Sequence, residues 1–145
     1  MSEGIETVDI IEPWLYGLLT GDTALAALVG DRIIGTLSDG AVDPPYVVFF
    51  LASPRDITAV GGIRVQVEAL YTVKAVARAS SWNAVRPIAA RLDTLIRGDG
   101  KTVTTTKGHL TRVRDVIVQY PETTDGVQYR HLGASWRIRA NSLTG

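Results

Sequence analysis

The chain has 145 residues and a mass of 15.6 kDa, the size of one domain spanning residues 1–145, and its 46% hydrophobic and 21% charged residues match a soluble globular fold and not a disordered chain. Scaling with mass gives roughly 7,000 Å² of folded surface against about 23,000 Å² unfolded, enough burial to need no metal or disulfide. With no cysteine, zero formal net charge and a pI near 6.7, a disulfide framework, a thiolate metal site, a cysteine nucleophile and direct reading of DNA are all excluded. The opening MSEGIETVD carries acids where a signal peptide would be basic.

Helical spacing starts at once, with Ile5, Val8, Ile11, Leu15, Leu18 and Leu19 three and four residues apart. Pro13 must either open this helix in its tolerated first turn or kink it, and Gly21 closes it. Asp22 is placed to cap a second helix over 23–29, stopped by Gly30. Arg32 to Leu37 reads as a short strand, and Pro44 and Pro45 extend the backbone ahead of Tyr46–Ser53, a strand apolar on both faces that Pro54 should end. That apolar run is far too short to cross a membrane.

Residues 55–62 are expected to form a loop or hairpin tip. Beyond it, Ile63, Val65, Val67, Ala69, Tyr71, Val73, Ala75 and Ala77 alternate with polar residues, the pattern of an antiparallel strand with one wet face. A strand of this length should bend or protrude. Ser80 or Ser81 should cap a helix running to Gly98, with Pro87 kinking it or shifting its start. Three strands follow: an edge strand within 101–107, one over 110–120, and one over 127–140 separated by a turn at 121–126. The order α-α-β-β-β-α-β-β-β predicts an α+β, two-layer domain, a mostly antiparallel β-sheet with helices packed on one face. Trp14, Trp82 and Trp136 each fall in an amphipathic element and are expected to anchor the core.

No catalytic pattern emerges. The two histidines, His109 and His131, are isolated and make neither a triad nor a metal site, and no phosphate-binding or nucleophile-elbow motif occurs. Catalytic, cofactor-binding and metal residues are therefore expected to be none. Charge is more informative. Residues 1–72 hold Arg32, Arg55 and Arg64 against ten acids, a net of −7, and residues 73–145 carry the balancing +7. Such a split could be two solvated faces, or two surfaces that meet when identical copies assemble head to tail. Arg112 and Arg114, and again Arg137 and Arg139, alternate on strands, either as a solvated face or as a surface meeting an acidic partner or lining a nucleic-acid channel.

The stretch Asp22-Thr-Ala-Leu-Ala-Ala-Leu-Val-Gly-Asp-Arg-Ile-Ile34, the strand start Pro44-Pro-Tyr-Val-Val-Phe49, the long alternating strand, the helix with Ala90-Arg-Leu-Asp-Thr-Leu-Ile96 and the closing Trp136-Arg-Ile-Arg139 together resemble the tail completion, or tail terminator, family of long-tailed bacteriophages and their prophage and gene-transfer-agent relatives. A difference lies at Tyr71-Thr-Val-Lys-Ala-Val76, where similar proteins often carry an acidic-aromatic strand end. The resemblance implies a structural virion protein with a tail-terminator-like fold. It implies a hexameric ring that caps the head-proximal end of the tail tube and stops its polymerisation. The ring would offer a surface to head-tail connector or head-completion proteins, and DNA would pass through its lumen. It implies assembly in the host cytoplasm, no cofactor, no membrane and no enzymatic activity. Within it, Arg55, Asp56 and Arg64, near the hairpin tip, and Arg112, Arg114, Arg137 and Arg139 are the interface candidates. Another neck ring subunit is the nearest alternative, and a small enzyme or ligand-binding α+β domain a more distant one.

Overall fold

The computed structural model describes residues 6–35, 43–58 and 64–142, with side chains for all of these except 54–58, 64 and 65. A π-helical turn at Thr7–Ile11 runs straight into α1 (Glu12–Thr20), with Pro13 in the first turn of α1, where its missing N–H costs no hydrogen bond. Helix α2 (Thr23–Val29) is capped as expected, Asp22 Oδ2 accepting from the Leu25 amide at 2.8 Å, and Gly30 ends it with φ of 65°. The Pro87 question resolves as a shifted start. A 3₁₀ turn at Trp82–Ala84 precedes α3 (Arg86–Arg97), again with proline in the first turn, and Ser81 makes no side-chain cap.

Asp22 does two jobs. Its carboxylate also takes two hydrogen bonds from Arg91 of α3, at 2.6 and 2.8 Å, tying the α2 N-terminus to α3. The Arg91 guanidinium holds the Asp22 carboxyl down to about 2, against an ordinary 3.8. A lowered carboxyl stabilises the fold fully above 3.8, and that contribution drains away as pH falls towards 2. Asp22→Ala should cost about 1 kcal/mol at pH 7, as loss of an N-cap does. Thermal melts should show the gap between wild type and variant narrowing between pH 4 and pH 2. A gap unchanged across that range would show that the charge of Asp22 contributes nothing.

Six strands form one curled sheet in the order β1-β2-β3-β6-β5-β4: β1 (Ile33–Gly35), β2 (Tyr46–Thr58), β3 (Arg64–Arg78), β4 (Val103–Thr104), β5 (Gly108–Thr124) and β6 (Val127–Ser142). Only β1 and β2 pair in parallel. The helices lie on one face and, with it, enclose the core: Leu15, Leu19 and Leu25 from α1 and α2, Ile88, Leu92 and Ile96 from α3, Tyr71 and Val73 from β3, and Trp136 and Ile138 from β6. The alternation read from 63 to 77 holds from Val67 on, with Val67, Ala69, Tyr71, Val73, Ala75 and Ala77 all buried, while Ile63 and the Val65 side chain lie outside what the structure describes. Trp136 is buried, while Trp14 and Trp82 pack on the margin of the core.

Three boundaries differ from expectation. Pro54 does not end β2, which runs on to Thr58 beyond a bulge at Leu51–Ser53. Beyond Phe49 the strand has no described neighbour on its β1 side, and proline is tolerated where an edge asks for no amide. Residues 55–58 of the expected loop are therefore strand, and the rest of it lies outside the described residues. Likewise β5 continues through Pro121 to Thr124, and the turn shrinks to Asp125 and Gly126, both with positive φ, the signature of a tight two-residue hairpin. The edge strand expected over 101–107 amounts to Val103 and Thr104 alone.

One glycine lies at a close strand approach. A Cβ at Gly133 of β6 would sit 2.1 Å from the Val73 carbonyl oxygen of β3, so only glycine lets the two central strands approach this closely. On the sheet face turned away from the described helices, Thr72, Val76, His131 and Ser135 are buried as well.

Candidate assembly surface

The longest stretch of unpaired backbone lies on β5. Its outer neighbour β4 pairs only with His109 and Leu110, so from Thr111 to Thr124 the strand has no partner on that side among the described residues. Along this edge four large apolar side chains stand in solvent: Val113 (60% exposed), Val116 (56%), Ile117 (60%) and Tyr120 (40%). An exposed apolar edge is a template for strand addition and is kept only where something covers it. A bulge between Arg114 and Val116 explains the arrangement. It resets the alternation, so that Arg112 and Arg114 face the helices whereas Val116, Val118 and Tyr120 face the other way. Residues 112 to 120 of even number therefore do not share a face, contrary to simple period-two counting. The sequence signal for this is the unbroken Val116-Ile117-Val118 run beside Asp115, which makes both faces apolar.

Ile117 also lines a groove of about 430 Å³ between α3 and the helix-side face of β5 and β6, with Leu132, Ala134 and Trp136 along its floor. Two of its charged members, Asp93 and Arg114, are already paired. Asp93 pairs with Arg97 at 2.9 Å and with Arg114 at 3.1 Å. Among the described residues no group of acids and histidines could hold a metal, and no helix is long and apolar enough to cross a membrane.

The arginines singled out in the sequence separate into three sets. Arg112 is only 3% exposed in its side chain and points into the molecule, where it donates to the carbonyls of Ile96, Arg97 and Lys101 and lies 5.8 Å from the Trp14 ring. It closes the C-terminus of α3, whose last carbonyls have no partners within the helix. Arg114 reaches the flank of α3 through Asp93. Arg137 and Arg139 stand on the helix-free face in a chain of charges: Asp115 to Arg137 at 3.2 Å, and Glu68 to Arg139 at 2.8 Å and to Arg137 at 3.9 Å. Two arginines there are matched by two acids. Arg55 and Asp56 sit on β2 in register with Glu68 and Val67, and Arg64 opens β3 opposite Thr58.

Further along the same face, His131 donates from Nε2 to Glu122 at 2.6 Å and stacks on Tyr120 with ring centres 4.3 Å apart. Lys74 donates to the Tyr120 hydroxyl at 2.5 Å and lies over the Phe50 ring. Burial pushes His131 below its ordinary pKa, and hydrogen bonds from Thr124 and His131 hold Glu122 below its own. The histidine–carboxylate pair ties β6 to the hairpin end of β5. His109 shares a hydrogen bond with Thr104 at 3.1 Å, linking β4 to β5.

A family model described as tail completion protein gp17 matches residues 13–129. The chain belongs to this tail completion family. It is a structural protein of phage tail completion and not an enzyme. Among solved structures, a chain in the virion of a native gene transfer agent particle is similar, with a TM-score of 0.57 at 19% identity, covering 88% of this chain and 90% of that one. A second solved chain superposes with a TM-score of 0.59 at 17% identity, covering 95% of this chain and 96% of that one. At these identities the likeness shows that the tail completion protein shares their fold. No protein of curated function matches it in sequence.

Proposed function

We propose that this tail completion protein is the tail terminator: a ring, six-fold as in the lambda-type relatives it resembles, that caps the head-proximal end of the tail tube, stops its growth and receives the head's connector or completion proteins. The observation that carries the reading is the open apolar edge of β5, a surface that needs a covering partner and has no use in a monomeric enzyme. A ring also needs two unlike patches on each copy, and the −7 and +7 split of the sequence offers a source of such complementarity. The interface candidates divide accordingly. Arg137 and Arg139, matched by Glu68 and Asp115, would leave a lumen formed by the helix-free face close to neutral, which suits DNA that must pass without being held. Arg55, Asp56 and Arg64 stand towards the hairpin tip, where a tube or a neighbouring copy would be met.

Electron microscopy of tails made with and without the gene tests this. Its loss should give tubes of uncontrolled length that fail to join heads, with normal length restored by complementation. Tubes of normal length that merely lack heads would instead identify a neck subunit on the head side, the second reading the family allows.

A further inference from the structure

Val8 aside, the large apolar side chains left exposed among the described residues fall into two groups. One is the β5 edge, with Ile117 lining the groove beside α3. The other is Tyr16 of α1, 51% exposed, and Leu28 of α2, the helix that leads into β1. Tyr16 lies 6.5 Å from the ring of Phe49, whose partner on β1 is Gly35. The two groups therefore stand at opposite ends of the sheet, four strand spacings or about 19 Å apart. They also stand at one height. Ile117 is in register with Ala134, Ala134 with Val73, and Val73 with Phe49, so a line straight across the strands runs from Ile117 to the residue beside Tyr16. Ile117 and Phe49 both face the helix side of the sheet.

We propose that the ring is closed by a second copy seated here: Tyr16 and Leu28 of each copy pack against Ile117 and the α3 groove of the next. The inference rests on the ring reading above and names its contact. A rotation about an axis along the strands leaves height unchanged, so it brings Tyr16 of one copy to the level of Ile117 in its neighbour. A closed ring uses two unlike patches and covers both on every copy. A two-fold contact between β5 ends would leave Tyr16 and Leu28 in solvent on both copies. Tyrosine suits the groove, because its ring matches the apolar floor of Leu132, Ala134 and Trp136 and its hydroxyl can meet Thr94 at the rim. Charge agrees. At the β1 end Asp31 and Asp43 are exposed beside one base, Arg32, which donates to the Pro45 carbonyl. Around the groove stand Arg86, with no acidic partner among the described residues, and Arg97 and Arg114, which share Asp93. The remaining acids of the β5 end lie away from it. Asp115 and Glu122 pair with Arg137 and His131 on the opposite face, Asp99 lies beside Arg112 past the end of α3, and Asp125 is in the hairpin turn.

The chain has no cysteine, so introduced thiols report cleanly. Leu28→Cys and Ala90→Cys place one thiol in each patch, both at exposed positions, with Ala90 on the α3 side of the groove. Assembled protein carrying either variant, or an equal mixture of the two, is treated with a short bis-maleimide. The mixture should give a covalent dimer and nothing larger, since each chain has one thiol. Each variant alone should give no product, because equivalent residues in neighbouring copies stand about 20 Å or more apart, the width of the sheet between the two patches. A dimer from either variant alone, or none from the mixture, overturns the contact. Should a thiol itself block assembly, hydroxyl-radical footprinting of the unmodified protein decides: labelling of Tyr16 and of Ile117 should fall severalfold together on assembly, and protection of one alone or of neither overturns the contact. Tail length is scored on the same particles. Capped tails of normal length without the cross-link defeat the contact and leave the terminator reading standing. Normal tails in the absence of the gene defeat the terminator reading itself, and the contact with it.

Discussion

Lysine at both Val116 and Ile117 is expected to abolish assembly while leaving the monomer folded. Both side chains are more than half exposed, so the folded monomer loses little, within about 0.5 kcal/mol. Burying each in an interface would contribute roughly 1.5–3 kcal/mol, and their joint loss should weaken each contact by a hundredfold or more. Lysine at a sheet edge also blocks strand addition directly, because its charge would have to enter the new sheet. Sedimentation and electron microscopy would read the loss of rings, and a thermal melt the intact monomer. Rings forming at wild-type concentration would show that the apolar edge faces something other than a copy of this chain.

Arg112→Ala is expected to have the opposite profile. Its guanidinium donates to three carbonyls in a nearly dry site, including the last two of α3. Charge-assisted bonds of this kind, and the carbonyls stranded by their loss, should cost about 3 kcal/mol. For a domain of this size that lowers the melting temperature by roughly 10 °C. Arg112→Lys should recover less than half, because an ammonium cannot span three acceptors held in a fixed fork. A residue that faced a neighbouring copy would behave differently: alanine would leave the melt unchanged and disturb assembly only. Calorimetry with sedimentation on one sample separates the two outcomes.

The contrast between these two experiments marks how far the residues could be read in order. Helix ends were legible because they depend on neighbours in sequence. Asp22 caps the amide three residues on, Gly30 and Gly98 take the positive φ that stops a helix, and proline at 13 and 87 tolerates only a first turn. The alternation of β3 was legible for the same reason, since a pleat turns successive side chains to opposite faces. Family membership rested on these local signals in their order.

What lay beyond that reading depends on partners far along the chain. Whether Arg112 is an interface residue or a helix cap turns on where α3 ends relative to β5, a contact closed across 16 residues by packing. The bulge at Arg114–Val116 belongs to a pair of strands and not to one, so counting along β5 alone puts its side chains on the wrong faces. Pro54 and Pro121 stand inside strands at positions with no outer partner among the described residues, and which side of a strand is outer is a property of the sheet order. By itself the sequence determined which segments are helix and strand, and that the chain carries no catalytic chemistry of a familiar pattern. Only the tertiary structure decided which strand edges stay uncovered, because an edge exists only once every other strand has found its place.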